Sequence, residues 1–249
     1  MDQTLIYCII VAAAVVAGAI QNIAGFGASV ILLMVLPRFF NVLEATTLTQ
    51  TICTGTTIML AFIFRKYIEW KKILLPGIAF MVAAVFTISQ LKKFDLAWLG
   101  AALGLFLLIL SLYYLFWQKK IEVHPTPLLA VAFGLLSGVL SGLFSIGATL
   151  MAMYFLAVTE DRSHYMANLQ LLLAVNNVVS LYTRAATGIL TASLILPSLI
   201  GFGGLLLGHL IGSRIAGKLD GEKLKRFVYV LVGVTGIETL IKQLMKIFG

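Results

Sequence analysis

Charge is scarce in this chain. Of its 249 residues only 11% are Asp, Glu, Lys or Arg, against about 25% in a soluble domain. Apolar residues make up 61%, and mean hydropathy is +1.04. That shortage excludes an ordinary cytosolic enzyme, and the long apolar runs read as a polytopic membrane protein. Cysteine is nearly absent: Cys8 and Cys53 both lie inside apolar segments, so there is no disulfide framework and no metal spacing. The three histidines, His124, His164 and His209, are not spaced as ligands either, which leaves a membrane-embedded enzyme without support. No Walker-type phosphate loop occurs, which argues against ATP coupling, and no cofactor is expected. Acidic residues are missing from the centres of the apolar segments, apart from Glu238, which Lys242 can pair four residues on. A cation pump usually needs a deep carboxylate, so this absence counts against one. The N-terminus, Met1 to Thr4, lacks the basic region of a signal peptide, so the first apolar segment is expected to stay in the mature protein.

What the chain does have is positive charge and internal symmetry. Its net charge is +8, and the basic residues cluster between apolar segments. There they act as orientation signals, so membrane lipid is the expected partner and nucleic acid is not. Shifting the sequence by 120 places pairs Gly18 with Gly138, Gly27 with Gly147, Ala28 with Ala148, Ser29 with Thr149, Leu36 with Leu156 and Gln50 with Gln170. Leu75-Pro76 falls on Leu196-Pro197 one residue out of register. We read two homologous halves, residues 1–120 and 121–249.

Each half holds three plain spans, near Thr46–Phe64, Ile73–Leu91 and Leu96–Trp117, then Met166–Tyr182, Ala192–Ile211 and Phe227–Met245. Each trio follows a longer, Gly-interrupted stretch, Thr4–Leu36 or Leu128–Val158. Such a stretch is either one span with a ragged end or a hairpin of two short half-helices turning inside the membrane. With single spans the 18 Lys and Arg divide nine against nine and give no orientation. With hairpins one side keeps Arg38, Lys92, Lys93, Arg184, Lys242 and Lys246, and the other twelve of the 18 gather opposite. That bias favours the hairpins and puts both termini outside the cytoplasm. Each half then crosses an odd number of times, so the second copy is inverted. The expected fold is all-α and polytopic, with two inverted-topology repeats, each a Gly-broken helical hairpin plus three transmembrane helices.

The interrupted stretches carry the candidate site. Gln21, Asn22, Gly25, Phe26, Gly27 and Ser29 lie in the first, and Ser141, Ser145, Gly147 and Thr149 in the second. Small and polar residues inside an apolar run are where a helix breaks. Unpaired backbone at that depth must line a cavity or be buried in protein. A half-helix starting near Gly27 or Gly147 would aim free N–H groups at the break and attract a small anion. Close helix packing through Gly138 and Gly142 is the competing reading. On the helix after the second stretch, Gln170, Asn177 and Arg184 follow at seven-residue steps and share a face. Its counterpart carries Thr47, Gln50, Thr54 and Thr57. These side chains could complete an anion site or serve as interhelical hydrogen-bond glue. His209, the imidazole within a span, is a proton-coupling candidate, and Glu44 and His164 hold matched positions at helix entrances, where they could cap.

The stretches around Gly25-Phe26-Gly27-Ala28-Ser29 and Ser145-Ile146-Gly147-Ala148-Thr149 each follow a glycine nine residues before the second Gly. With the length, the duplication and the Gln-bearing helix after each stretch, they resemble the repeats of the TauE/SafE sulfite-exporter family. Ala28-Ser29 and Ala148-Thr149 stand where family members often carry further glycines. The resemblance implies a secondary transporter exporting sulfite or a small organosulfonate across a bacterial inner membrane by alternating access. A small sulfur-containing oxyanion is then the substrate. A passive anion channel and a non-transporting membrane assembly subunit are the alternatives, and the sequence leaves a homo-oligomer open.

Overall fold

The computed structural model describes residues 3–116, 126–215 and 221–248. Lys119, Lys120, His124, Lys218 and the expected boundary at 120/121 lie outside the described residues. Those described form ten α-helices and no strand: α1 (Gln3–Ala24), α2 (Ala28–Val35), α3 (Val42–Phe64), α4 (Trp70–Gln90), α5 (Leu96–Phe116), α6 (Pro127–Phe144), α7 (Ala148–Val158), α8 (Arg162–Ala186), α9 (Ile195–Ile215) and α10 (Gly221–Phe248).

Local chemistry accounts for the helix ends. Asn41 accepts from the Glu44 backbone N–H, and Glu44 accepts from that of Asn41, a capping box that starts α3. Thr126 caps α6 ahead of Pro127, and Asp161 caps α8 through the N–H groups of Ser163 and His164. Glu44 therefore acts as a cap, whereas His164 binds Asp161 through its side chain.

Both interrupted stretches break, but not into two short halves. α1 has 22 residues and α6 has 18, about 33 and 27 Å, whereas α2 and α7 have only 8 and 11. Each stretch is thus one span-length arm and one short arm, because the breaking residues come late in it. Gly25 and Gly27 take left-handed backbone (φ 80° and 100°) at the first break, and Ser145 (φ 60°) does so at the second. The second short arm doubles back on the first. A Cβ added at Gly147 would sit 2.7 Å from Ser141 Cβ and against the Ser137 carbonyl, both one to three turns earlier on α6.

Close glycine seams fix the helix directions. Gly134, Gly138 and Gly142 abut Pro76, Phe80 and Ala84 in the same order, so α6 and α4 run parallel. Gly204, Gly208 and Gly212 meet Val11, Val15 and Ala19, so α9 and α1 also run parallel. By contrast, Thr47 meets Arg184, Gln50 meets Asn177, and Glu69 beyond α3 meets Asn168, so α3 and α8 are antiparallel. The α5–α10 pair is antiparallel as well, with Gly100 against Gln243 and Ser111 against Gly233. The packing reading of Gly138 and Gly142 is therefore correct.

Among the described residues, six helical segments are long and apolar enough to cross a membrane: Gln3–Asn22, Val42–Tyr67, Trp70–Lys93, Leu96–Phe116, Pro127–Phe144 and Ala192–Arg214. The chain is a multi-pass membrane protein. Leu74, Ile78, Val82 and Phe86 face outward from α4 at four-residue steps, an apolar stripe suited to lipid. The polar residues point the other way. α8 falls short on hydropathy, not length: Asn168, Gln170, Asn176, Asn177, Ser180 and Arg184 are all buried along its 25 residues. With Thr46, Thr47, Thr49, Gln50, Thr56 and Thr57 of α3 they form a polar seam at the centre.

Candidate functional site

The two breaks meet at one cavity beside this seam. Gln21, Phe26, Gly27, Ala28 and Ser29 line it from the first hairpin, and Ser141, Ser145, Gly147 and Ala148 from the second. Gln50, Cys53 and Thr57 of α3 and Leu173 and Asn177 of α8 complete it. None of these side chains carries a formal charge. About 30 Å³ is open to the centres of water-sized molecules.

A hydrogen-bond chain ties the hairpins to the seam, and it crosses between the halves. Ser145 Oγ lies 2.6 Å from Gln50 Oε1 and 2.9 Å from the Thr46 carbonyl, the two acceptors open to its proton. Gln50 Nε2 donates to Asn177 Oδ1 at 2.7 Å, and Asn177 Nδ2 donates to Thr57 Oγ1 at 3.1 Å. On the other side Gln170 Nε2 donates to the Gly25 carbonyl at 2.6 Å. Each glutamine therefore holds the break of the opposite half. A left-handed Ser costs roughly 1–2 kcal/mol, and the two acceptors facing Ser145 hold it there. Asn176 Nδ2, which the sequence reading passed over, donates to Ser141 Oγ at 2.9 Å.

Both short helices begin at the cavity. The N–H groups of Ala28, Ser29 and Val30 at the head of α2, and of Ala148 at the head of α7, meet no acceptor among the described residues. Gln21 is 3% exposed and its Oε1 has no partner either. At one wall Phe26 packs on Tyr114 with ring centroids 6.1 Å apart, and Tyr114 stacks on Tyr229 at 4.1 Å.

Of the expected site residues, Gln21, Phe26, Gly27, Ser29, Gln50, Ser141, Ser145, Gly147 and Asn177 converge on the cavity. Six do not line it. Gly25 and Gln170 form the hold on the first break, and Thr149 is buried with its hydroxyl unpartnered. Asn22 turns away, its Nδ2 lying 2.9 Å from His209 Nε2 while its carbonyl accepts from Arg162. Arg184 reaches Thr47 Oγ1 and the Gly142 carbonyl, both at 2.9 Å. Leu173 went unforeseen, being one apolar residue among many; its place four residues before Asn177 was the available signal.

The sulfite exporter TauE/SafE family model matches residues 10–239, nearly the whole chain and both hairpins. The chain belongs to the TauE/SafE family. No curated protein and no solved structure matches it. As a TauE/SafE member it falls in a transporter family for sulfite and related anions.

Proposed function

We propose that the protein exports sulfite or a small organosulfonate from the cytoplasm as a secondary transporter. The carrying observation is that two broken helices from opposite halves begin at one buried, uncharged cavity whose free N–H groups have no acceptor. Free N–H groups at a helix start attract anions without a metal or mobile cation. Gln21, Ser29, Gln50, Ser145 and Asn177 supply the neutral side-chain contacts.

The halves are inverted repeats on this reading. The equivalent helices α3 and α8, and again α5 and α10, run antiparallel. A single span per interrupted stretch would make them parallel. An even crossing of each hairpin leaves both termini on one side, which the basic residues make the outside. Rocking of the halves around the breaks opens the cavity to each side in turn. Export of one negative charge down the membrane potential releases about 2.3 kcal/mol per 100 mV, enough to drive transport without nucleotide. His209, held to Asn22 next to the first break, is the proton-coupling candidate.

The test is sulfite flux in proteoliposomes of the purified protein, competed with methanesulfonate, thiosulfate, sulfate and chloride. Saturable flux blocked by the sulfonate is expected. Flux that never saturates would identify a channel, and no flux under gradients of either sign would remove the transporter reading.

A further inference from the structure

Arg184 is a cation with no counter-ion among the described residues. It is 0% exposed, the largest of the fully buried side chains. Its two bonded nitrogens reach a hydroxyl and a carbonyl, and its Nε has no partner. The carboxylates resolved in contacts are occupied at helix ends and loops: Glu44 in the α3 cap, Glu69 with Lys72, Asp95 at the head of α5, Asp161 with His164, and Glu238 with Arg38 and Lys242. The Gly142 carbonyl it binds closes α6, whose terminal dipole offsets only about half a unit of charge. Burying the remainder unpaired is costly, and buried charges in membranes are ordinarily matched.

The cavity is adjacent. Gly142 follows Ser141, and Thr47 lies less than one turn before Gln50; both Ser141 and Gln50 line the cavity. Arg184 has no twin, since the position 120 residues earlier is Phe64. Resting on the anion-site reading above, we infer that Arg184 is the single fixed positive charge answered by the bound anion, acting through the second break. The site therefore takes a monovalent sulfonate-type oxyanion in preference to a divalent one. Arg184 is a positioning and electrostatic residue, since it touches the last turn of α6 ahead of the second break and not the cavity.

The test compares methanesulfonate, always monovalent, with sulfate, divalent, as inhibitors of flux by the full chain and as ligands in detergent. Wild-type protein should be half-inhibited by methanesulfonate at a concentration at least tenfold below that for sulfate. Arg184→Gln keeps N–H donors without the charge. It should raise the methanesulfonate value tenfold or more and shrink the ratio between the anions, whereas Arg184→Lys should keep most of the preference. A merely structural role would weaken both anions together and leave the ratio alone, which overturns the inference. Equal wild-type affinity for the two anions overturns it too, and that comparison stands even if the variants fail to fold. Sulfonate binding that ignores Arg184→Gln removes this inference alone. Wild-type protein that binds neither anion removes it together with the transporter reading.

Discussion

Replacing Gln50 tests the centre of the site, because one side chain joins the second break to α8. Gln50→Ala removes the 2.6 Å bond from Ser145 and the 2.7 Å bond to Asn177. Ser145 keeps the Thr46 carbonyl, but Asn177, only 7% exposed, loses the donor to its Oδ1. A net hydrogen bond is worth about 1 kcal/mol and a buried orphan about 1–3 kcal/mol, so the sum is roughly 2–4 kcal/mol. The adjacent cavity can admit a water to Asn177, which favours the lower end. Reversible unfolding in mixed detergent measures this loss. Gln50→Glu separates fold from function: its carboxylate still accepts from Ser145, yet it places a negative charge on the cavity wall. It should lose at least tenfold in apparent sulfonate affinity in the flux assay. Unchanged affinity in a folded Gln50→Glu protein would show that the anion does not bind there.

The two glycines Gly138 and Gly203 should respond with opposite signs to the same change. A Cβ at Gly138 would meet Ala83 Cβ at 2.7 Å and overlap the Phe80 carbonyl, parting α4 from α6 at about 1–3 kcal/mol. At Gly203 it meets nothing within 4 Å, so Gly203→Ala should stabilise by roughly 0.5 kcal/mol through helix propensity; thermal melts of the pair check both. Gly25→Ala combines left-handed strain with a Cβ 2.8 Å from Met166 Sδ, and should lower maximal flux far more than Gly203→Ala at matched expression. Asp161 is exposed, and its carboxyl is held below the ordinary value of 3.8, first by the His164 backbone N–H and then by its side chain. A lowered folded value contributes stability that is complete above about pH 4 and is lost as pH falls through the folded value. Asp161→Asn keeps a good cap and should flatten that acid limb of the melting curve; an unchanged pH profile would refute the assignment.

Composition determined that this protein lives in a membrane, because 61% apolar residues in runs of helical length have no aqueous solution. The first break was also legible, since Gly25 and Gly27 free the backbone locally, as was the α3 cap, whose partners Asn41 and Glu44 are three residues apart. Repetition 120 residues apart identified Gln50 and Gln170 as a pair. What each one grips was decided by tertiary structure. Gln50 meets Ser145 across 95 residues and Gln170 meets Gly25 across 145, separations over which no periodicity carries information. The lengths of the hairpin arms were likewise settled by packing: Gly18, Gly138 and Gly142 look like breaking residues, yet each lies against a neighbouring backbone and the helix runs on. Charge counts separate single spans from hairpins only by inference, whereas the antiparallel contact of Thr47 with Arg184 and Gln50 with Asn177 follows from which helices adjoin. The same holds for the missing counter-ion of Arg184. A sequence states that an arginine is present, but only the folded chain determines what surrounds it, because burial is a property of neighbours brought together from the whole length.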